Sequence, residues 1–457
     1  MRERIVVAAP TDELDWFRRG AIYQVFPDRF ARVGVSADRP LEDWGNSPTT
    51  KNFFGGNLAG ITARIPYLRD LGIATLYLTP IFQAPSNHRY DTEDYFQIDP
   101  LLGTRTDLEQ LVTKAKQQQI GVVFDGVFNH VGQSFPAFVK AQAGDENARQ
   151  FFHFLEDSTQ YQTCGGASFL PKLNHHNPEV LDLVATVMAH WDSVGIRGWR
   201  LDVPWKVPAS FWEQLRARTS QLASSRIWIA EAWTQWSFAS SFDSLTNYHA
   251  RNRLVDFAHR HDADAEDLLT DLAQWTSLRR DPSLIVNVVG SHDTSRVMTV
   301  CGSVQVDALM VLALNVLLPG VPCVYYGDEL GLEGGDDPDC RRTMPSELSS
   351  AQQSYLQLIR PILQMRATHR SLSHGDLAVE ALRNRAFVIS RSYDECTIRV
   401  AANAGHVAEE FAVEHGNSWR SVTGARLSGS RHVVVPPKTL AVQIQSNCQC
   451  GQAVTND

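Results

Sequence analysis

The stretch GIRGWRLDVPWKV, residues 195–207, decides how the rest of the chain is read. Its first half has strand content, with Ile196, Trp199, Leu201 and Val203 apolar or β-branched. Strand side chains alternate faces, so Arg200 and Asp202, two residues apart, point the same way. Charged side chains are rarely buried unless they are paired. A strand carrying an arginine and an aspartate on one face is therefore expected to deliver them to a site.

Short apolar runs like this one recur at 21–25, 74–78, 121–124, 227–230, 284–289 and 323–326. Between them the period lengthens to that of amphipathic helices. Thr106 and Glu109 read as a capping box for a helix whose stripe is Leu108, Leu111, Val112 and Ala115. Asn177 followed by Pro178 reads as an N-cap with proline in the first turn, leading Val180, Leu181, Val184, Val187 and Met188 onto one face. Alternating strands and helices over this length imply a parallel sheet closed into a (β/α)8 TIM barrel, an α/β fold.

The chain has 457 residues, 43% hydrophobic and 20% charged, with a net charge of −9. Such a length favours a large domain with a smaller companion. The acidic balance offers no basic surface for nucleic acid. The apolar run near the start is too short for a secretory signal, and the apolar segment 308–318 is stopped by Pro319-Gly320, so no membrane span is expected. Seven scattered cysteines read as reduced thiols, which points to the cytoplasm.

About 45 residues separate the third strand from the Pro178 helix, far more than an ordinary connection. Past residue 375 short strands replace helices, as in an antiparallel β-sandwich. The expected organisation is a barrel over 1–130 and 173–375, an inserted subdomain B over 131–172, a C-terminal β-sandwich over 376–447 and a tail over 448–457.

In a barrel of this kind the active site is built at the C-terminal ends of the strands. There the third strand supplies Asp125, Asn129 and His130, the fourth Arg200 and Asp202, the fifth Glu231, and the seventh His292 and Asp293. One carboxylate at a strand end is more often a cap or an ion-pair member. Four strand ends supplying such groups together are hard to explain that way. Converging carboxyls without a cysteine or histidine-rich set suit glycosidic bond cleavage, in which one carboxylate attacks and another donates a proton. Arg200 beside Asp202 is expected to keep that carboxylate ionised, while Glu231, near other negative charge, stays protonated.

The motifs GAIYQVFPDRF (20–30), FFGGNLAGI (53–61), SNHRYDTEDYFQIDP (86–100), DGVFNHVG (125–132), GWRLDV (198–203), AEAW (230–233), GSHDTSR (290–296) and GVPCVYYGDELGLEGGDDPDCRRTMP (320–345) occur in an order that resembles the α-amylase family of glycoside hydrolases. The resemblance implies a retaining enzyme for α-glucosidic bonds. Asp202 is then the nucleophile, Glu231 the general acid/base and Asp293 the transition-state stabiliser. Tyr90, His130, Arg200 and His292 would surround the sugar at the cleavage point.

LPKLNHHNPEV (170–180) is similar to a signature of the neopullulanase and cyclomaltodextrinase group, which acts on short or cyclic malto-oligosaccharides. The resemblance makes Asp339 and Arg341 contacts to more distant sugars. That group carries an N-terminal β domain that helps form a dimer; here the barrel begins almost at once, so a homodimer stays open. Cyclic maltosyl-maltose hydrolases share this departure. After the nucleophile the group tends to have Ala-Asn-Glu, where this chain has Pro204, Trp205 and Lys206 on the acceptor side, near Trp233. Trp205 can stack on a sugar or pack under its loop. Arg197 stands where the group has an aspartate. The acidic calcium loop of some relatives is replaced by ARVGVSADRP (31–40); Asn129 could hold a structural calcium, but no metal or other cofactor is expected. The alternatives are an exo-acting α-glucosidase or oligo-1,6-glucosidase, a transglycosylase, and an inactive amylase-like binding subunit.

Overall fold

The computed structural model describes residues 4–5, 13–34, 39–155, 159–220, 226–233, 241–277, 281–412, 419–423, 432–445 and 448. Eight parallel strands close into a barrel: β1 (Ala21–Val25), β2 (Ile73–Leu78), β3 (Gly121–Gly126), β4 (Gly198–Leu201), β5 (Ile227–Ala230), β6 (Ser244–Asn247), β7 (Val286–Val288) and β8 (Val321–Tyr325). Each pairs with its neighbours in sequence, and β8 returns to β1. The TIM-barrel expectation is met.

β4 shows how the opening stretch folds. Trp199 is fully buried on the helix side, edge-on to Phe124, whereas Arg200 lines the barrel interior near Tyr77 and Ile229. A Cβ on Gly198 would sit 2.2 Å from the Ile227 carbonyl oxygen, so β5 approaches this close only because residue 198 has no side chain. Arg197 precedes the strand, and its guanidinium lies over the Trp16 ring at 4.4 Å. This accounts for its presence at the N-terminal end of the barrel, away from the chemistry.

Helices α1 (Leu58–Asp70), α2 (Arg105–Gln117), α3 (Pro178–Asp192) and α4 (Ala209–Thr219) follow β1 to β4. The α2 capping box is Thr104 with Asp107, two residues before the pair expected from sequence. Gly103 turns the chain at φ 126°, so the earlier Thr-x-x-acid pair takes the cap and Thr106 falls inside the helix. Asn177 caps α3 as expected, accepting from the Glu179 N–H.

Between β3 and α3 the chain forms two short helices, Pro136–Gln142 and Glu146–Arg149, over an aromatic cluster of Phe138, Phe152 and Tyr161. An antiparallel bridge from His130 to Lys172 ties this segment to the end of β3. Beyond the barrel, β9 (Asp376–Arg383), β10 (Ala386–Tyr393), β11 (Cys396–Asn403) and β12 (Thr439–Ile444) form an antiparallel sheet. The strand Arg4–Ile5 joins this sheet through β9. A two-stranded sheet, Glu409–Ala412 with His432–Val435, packs Phe411, Val433 and Val435 against Ala386, Val388 and Ala401.

The expectation of reduced cysteines throughout is corrected here: Cys396 and Cys448 form a disulfide. The Gln445 N–H donates to the Thr397 carbonyl beyond the end of β12, and the Cys448 N–H turns back onto Gln445. These contacts bring Cys448 beside the start of β11. Cys164, Cys301, Cys323 and Cys340 are free thiols. Apart from Cys448, the expected tail lies outside the described residues, as does Cys450.

Candidate active site

Register in the barrel assembles the site. β3 and β4 pair with Asp125 opposite Arg200, and β4 and β5 with Leu201 opposite Ala230. The next residues, Asp202 and Glu231, emerge side by side. Arg200 Nη1 lies 3.0 Å from Asp125 Oδ1 and 2.9 Å from Asp202 Oδ1, while its Nη2 lies 3.1 Å from Glu231 Oε2. A single buried guanidinium thus serves three carboxyls. Asp125, which received no role from sequence, is the most deeply held of them. Tyr77 and Tyr90 hydroxyls both donate to its Oδ2, at 2.5 and 2.8 Å.

This sharing limits how far Arg200 can lower the Asp202 carboxyl. Burial, then the neighbouring Glu231 charge, pushes the Asp202 carboxyl well above its usual range, against the pull of Arg200. Arg200 divides one charge among three partners and does not offset both effects. Glu231 meanwhile accepts on both oxygens: Oε1 from the Trp233 indole N–H at 2.7 Å, and Oε2 from the Val203 N–H at 2.8 Å.

β7 delivers the second half of the site. The Gln24 amide donates to His292 Nδ1 at 2.8 Å, and His292 Nε2 lies 2.5 Å from the Tyr90 hydroxyl and 3.2 Å from Asp293 Oδ2. Since Tyr90 spends its proton on Asp125, the tautomer with the proton on Nε2 satisfies every contact. Burial first, then the Arg341 and Arg200 charges, keeps this imidazole neutral. Asp293 is one-third exposed at the mouth, with Arg341 Nη2 3.4 Å from its Oδ1. The Arg341 Nε–H also donates to the His292 carbonyl at 2.8 Å.

His130 joins the site from the end of β3. Burial holds its imidazole down to about 4, and Nε2 has no hydrogen-bond partner. Trp205 and Lys206 lie on the turn Pro204–Lys206 directly after the Asp202-Val203 pair, Trp205 half-buried and Lys206 exposed. Asp339 is not brought to the carboxyl cluster. Its carboxylate accepts from Arg342 and from the Gly335 N–H, and Asp337 is the nearer of the two acidic partners of Arg341, at 2.9 Å. Sequence reasoning also missed Gln24, Tyr77 and Tyr248. The inserted segment contributes Cys164, whose thiol is pushed up to about 11 by burial and by the charges of Asp202 and Glu231.

A structural calcium is implied for some relatives, and Asn129 Oδ1 is a buried acceptor without a partner. Among the described residues no group of three or more acidic, histidine or cysteine side chains is placed to hold a metal ion.

Such an arrangement can bind a sugar ring against neutral donors, place one carboxyl at the anomeric carbon and offer a second to the leaving oxygen. Comparison with known proteins agrees. The model of the α-amylase catalytic domain matches residues 24–359. A cyclomaltodextrinase of Geobacillus thermopakistaniensis is 33% identical over 93% of this chain and 76% of its own length. An intracellular maltogenic amylase of Bacillus subtilis is 32% identical over 89% of this chain and 72% of its own. Among solved structures, the ligand-free cyclic α-maltosyl-(1→6)-maltose hydrolase of Arthrobacter globiformis superposes with a TM-score of 0.87 and 32% identity, covering 94% of this chain and all of that one. With motif order, barrel and catalytic-domain match in agreement, the chain belongs to the α-amylase family.

Proposed function

We propose that the protein hydrolyses α-glucosidic bonds in short or cyclic malto-oligosaccharides with retention of configuration. The observation that carries this reading is the convergence of Asp202, Glu231 and Asp293 at the ends of β4, β5 and β7 around Arg200 and His292. Asp202 Oδ attacks the anomeric carbon as Glu231 gives its proton to the departing oxygen, leaving a glycosyl ester on Asp202. Glu231 then takes a proton from water, whose oxygen displaces the aspartate. Asp293, His292 and the unpartnered His130 Nε2 are placed to hold sugar hydroxyls as the ring flattens.

A cyclic substrate is favoured by the likeness to the Arthrobacter hydrolase and the Geobacillus cyclomaltodextrinase. Arg341 borders the mouth of the cleft, and Trp205, Lys206 and Trp233 form the acceptor side. Among the described residues no helix is long and apolar enough to cross a membrane. A cytoplasmic location draws support from the Bacillus relative named intracellular, and no longer from the cysteines.

The test is product analysis of wild type and Glu231→Gln on maltotetraose, panose, β- and γ-cyclodextrin and cyclic maltosyl-maltose. Ring opening with maltose as end product supports the proposal, and stepwise glucose release redirects it to an exo-glucosidase. A fully active Glu231→Gln enzyme would remove Glu231 from the acid role.

A further inference from the structure

Val203 follows Asp202 directly and adopts φ 40°, ψ 45°, in the left-handed region. Among the described residues, seven non-glycine residues have positive φ, and Val203 is the β-branched one. For such a side chain this conformation is a genuine outlier. Pro204 sharpens the conflict, because a residue before proline is driven toward extended backbone. Strain of this kind persists only where the surroundings over-determine it, and it concentrates at functional sites.

The surroundings do hold it. On one side the Asp202 N–H donates to the Gly126 carbonyl at 3.1 Å, and on the other the Lys206 N–H donates to the Val203 carbonyl at 3.0 Å. The Pro204 carbonyl accepts from the Val207 N–H and from the Trp212 indole, at 3.2 and 3.1 Å. The result is that the Val203 N–H points at Glu231 Oε2, 2.8 Å away. Extended backbone at this position would turn the N–H elsewhere. Arg200 shares the same oxygen, whereas among the described residues Oε1 is held by the Trp233 indole.

We infer that the left-handed backbone of Val203 is a positioning device for the acid/base: its N–H, with Arg200, fixes Glu231 Oε2 as an acceptor, so that Oε1 carries the proton to the leaving group. The nucleophile and the acid are then coupled through one residue of backbone. Pro204, where relatives have alanine, belongs to the clamp. This inference rests on the roles proposed above for Asp202 and Glu231.

The experiment replaces the Val203 amide by an ester, using the corresponding α-hydroxy acid, which deletes the N–H and keeps the side chain. Two substrates are compared through kcat/KM: maltotetraose, whose leaving oxygen needs a proton, and α-maltosyl fluoride, whose fluoride does not. The ester variant is expected to lose about tenfold or more on maltotetraose and to stay within about threefold of wild type on the fluoride. Val203→Gly, which keeps the N–H and accepts the left-handed conformation without strain, should lose less on maltotetraose than the ester variant does. Unchanged maltotetraose turnover by the ester variant, an equal loss on both substrates, or a folded Val203→Gly enzyme as impaired as the ester would each overturn the inference. If wild type cleaves neither substrate, the failure lies with the proposed function and not with this residue.

Discussion

The Trp233 indole N–H donates to Glu231 Oε1 at 2.7 Å while its ring lies flat on Tyr248, centroids 3.9 Å apart and planes 4° from parallel. The stack fixes the ring plane, and the hydrogen bond holds Oε1 in a fixed place beside the indole.

Trp233→Phe keeps an aromatic face against Tyr248 and removes the donor. Without it Glu231 Oε1 loses the contact that holds it in place, so kcat/KM on maltotetraose should fall by about tenfold, while α-maltosyl fluoride, which needs no acid, stays within about threefold of wild type. Steady-state kinetics on the two substrates check this. Unchanged turnover of maltotetraose would show that the indole contact does not position the acid.

Arg200 is the charge on which three buried carboxyls depend. Arg200→Met removes it and leaves Asp125, Asp202 and Glu231 facing one another without compensation. Breaking a buried pair in this way costs about 3–5 kcal/mol. We expect a loss of that size in chemical denaturation, and hydrolysis reduced at least 100-fold. A variant of wild-type stability would mean that the carboxyls take up protons at no cost.

Much of this arrangement was legible in the sequence, because strand ends in a barrel carry their chemistry in short motifs whose order is fixed by the chain. Asp202, Glu231, Asp293 and Arg200 needed no structure to be singled out. β6 did: its sequence, SLTN, has one apolar residue, yet all four residues are buried, because its place is set by pairing with β5 and β7. β9 was hidden for the opposite reason. DLAVEALR is rich in helix formers and becomes a strand only through its hairpin with β10. The Val203 backbone, the Trp233 contact and the choice of Asp337 over Asp339 as partner of Arg341 arise from three-dimensional closure, and residue identity alone carries no trace of them.

His130 and His175 make stability depend on pH. Burial holds each imidazole down to about 4, from an ordinary 6.5. Above pH 6.5 both states are neutral at these positions and the contribution is complete. As pH falls from 6.5 toward 4 the unfolded chain binds protons that the folded protein refuses, so stability is lost at up to about 1.4 kcal/mol per pH unit for each histidine. His175 lies outside the carboxyl cluster, with Nε2 2.8 Å from the Phe128 carbonyl and its ring edge-on to Phe211. In His175→Gln the urea midpoint should therefore fall less steeply between pH 6 and pH 4.5 than in wild type. Parallel slopes would contradict a neutral, buried His175.

The Cys396–Cys448 bond closes a loop of 52 residues that contains β11 and β12. On the chain-entropy account, cross-linking a loop of this length stabilises the folded state by up to about 4 kcal/mol. Cys448→Ser, or wild type under reductant, should therefore melt at a lower temperature, and the two should coincide. Within β11, Cys396 pairs with Tyr393, and its carbonyl accepts from Ser371, so none of its described contacts reaches the carboxyl cluster. Turnover at 25 °C should accordingly stay within about twofold of wild type, since entropy removed from the unfolded chain does not enter the catalytic barrier. The two readings separate cleanly. A drop in melting temperature without a drop in rate assigns the bond to the C-terminal sheet alone. A matching loss of rate would mean that the barrel and this sheet share strain reaching the ends of the strands.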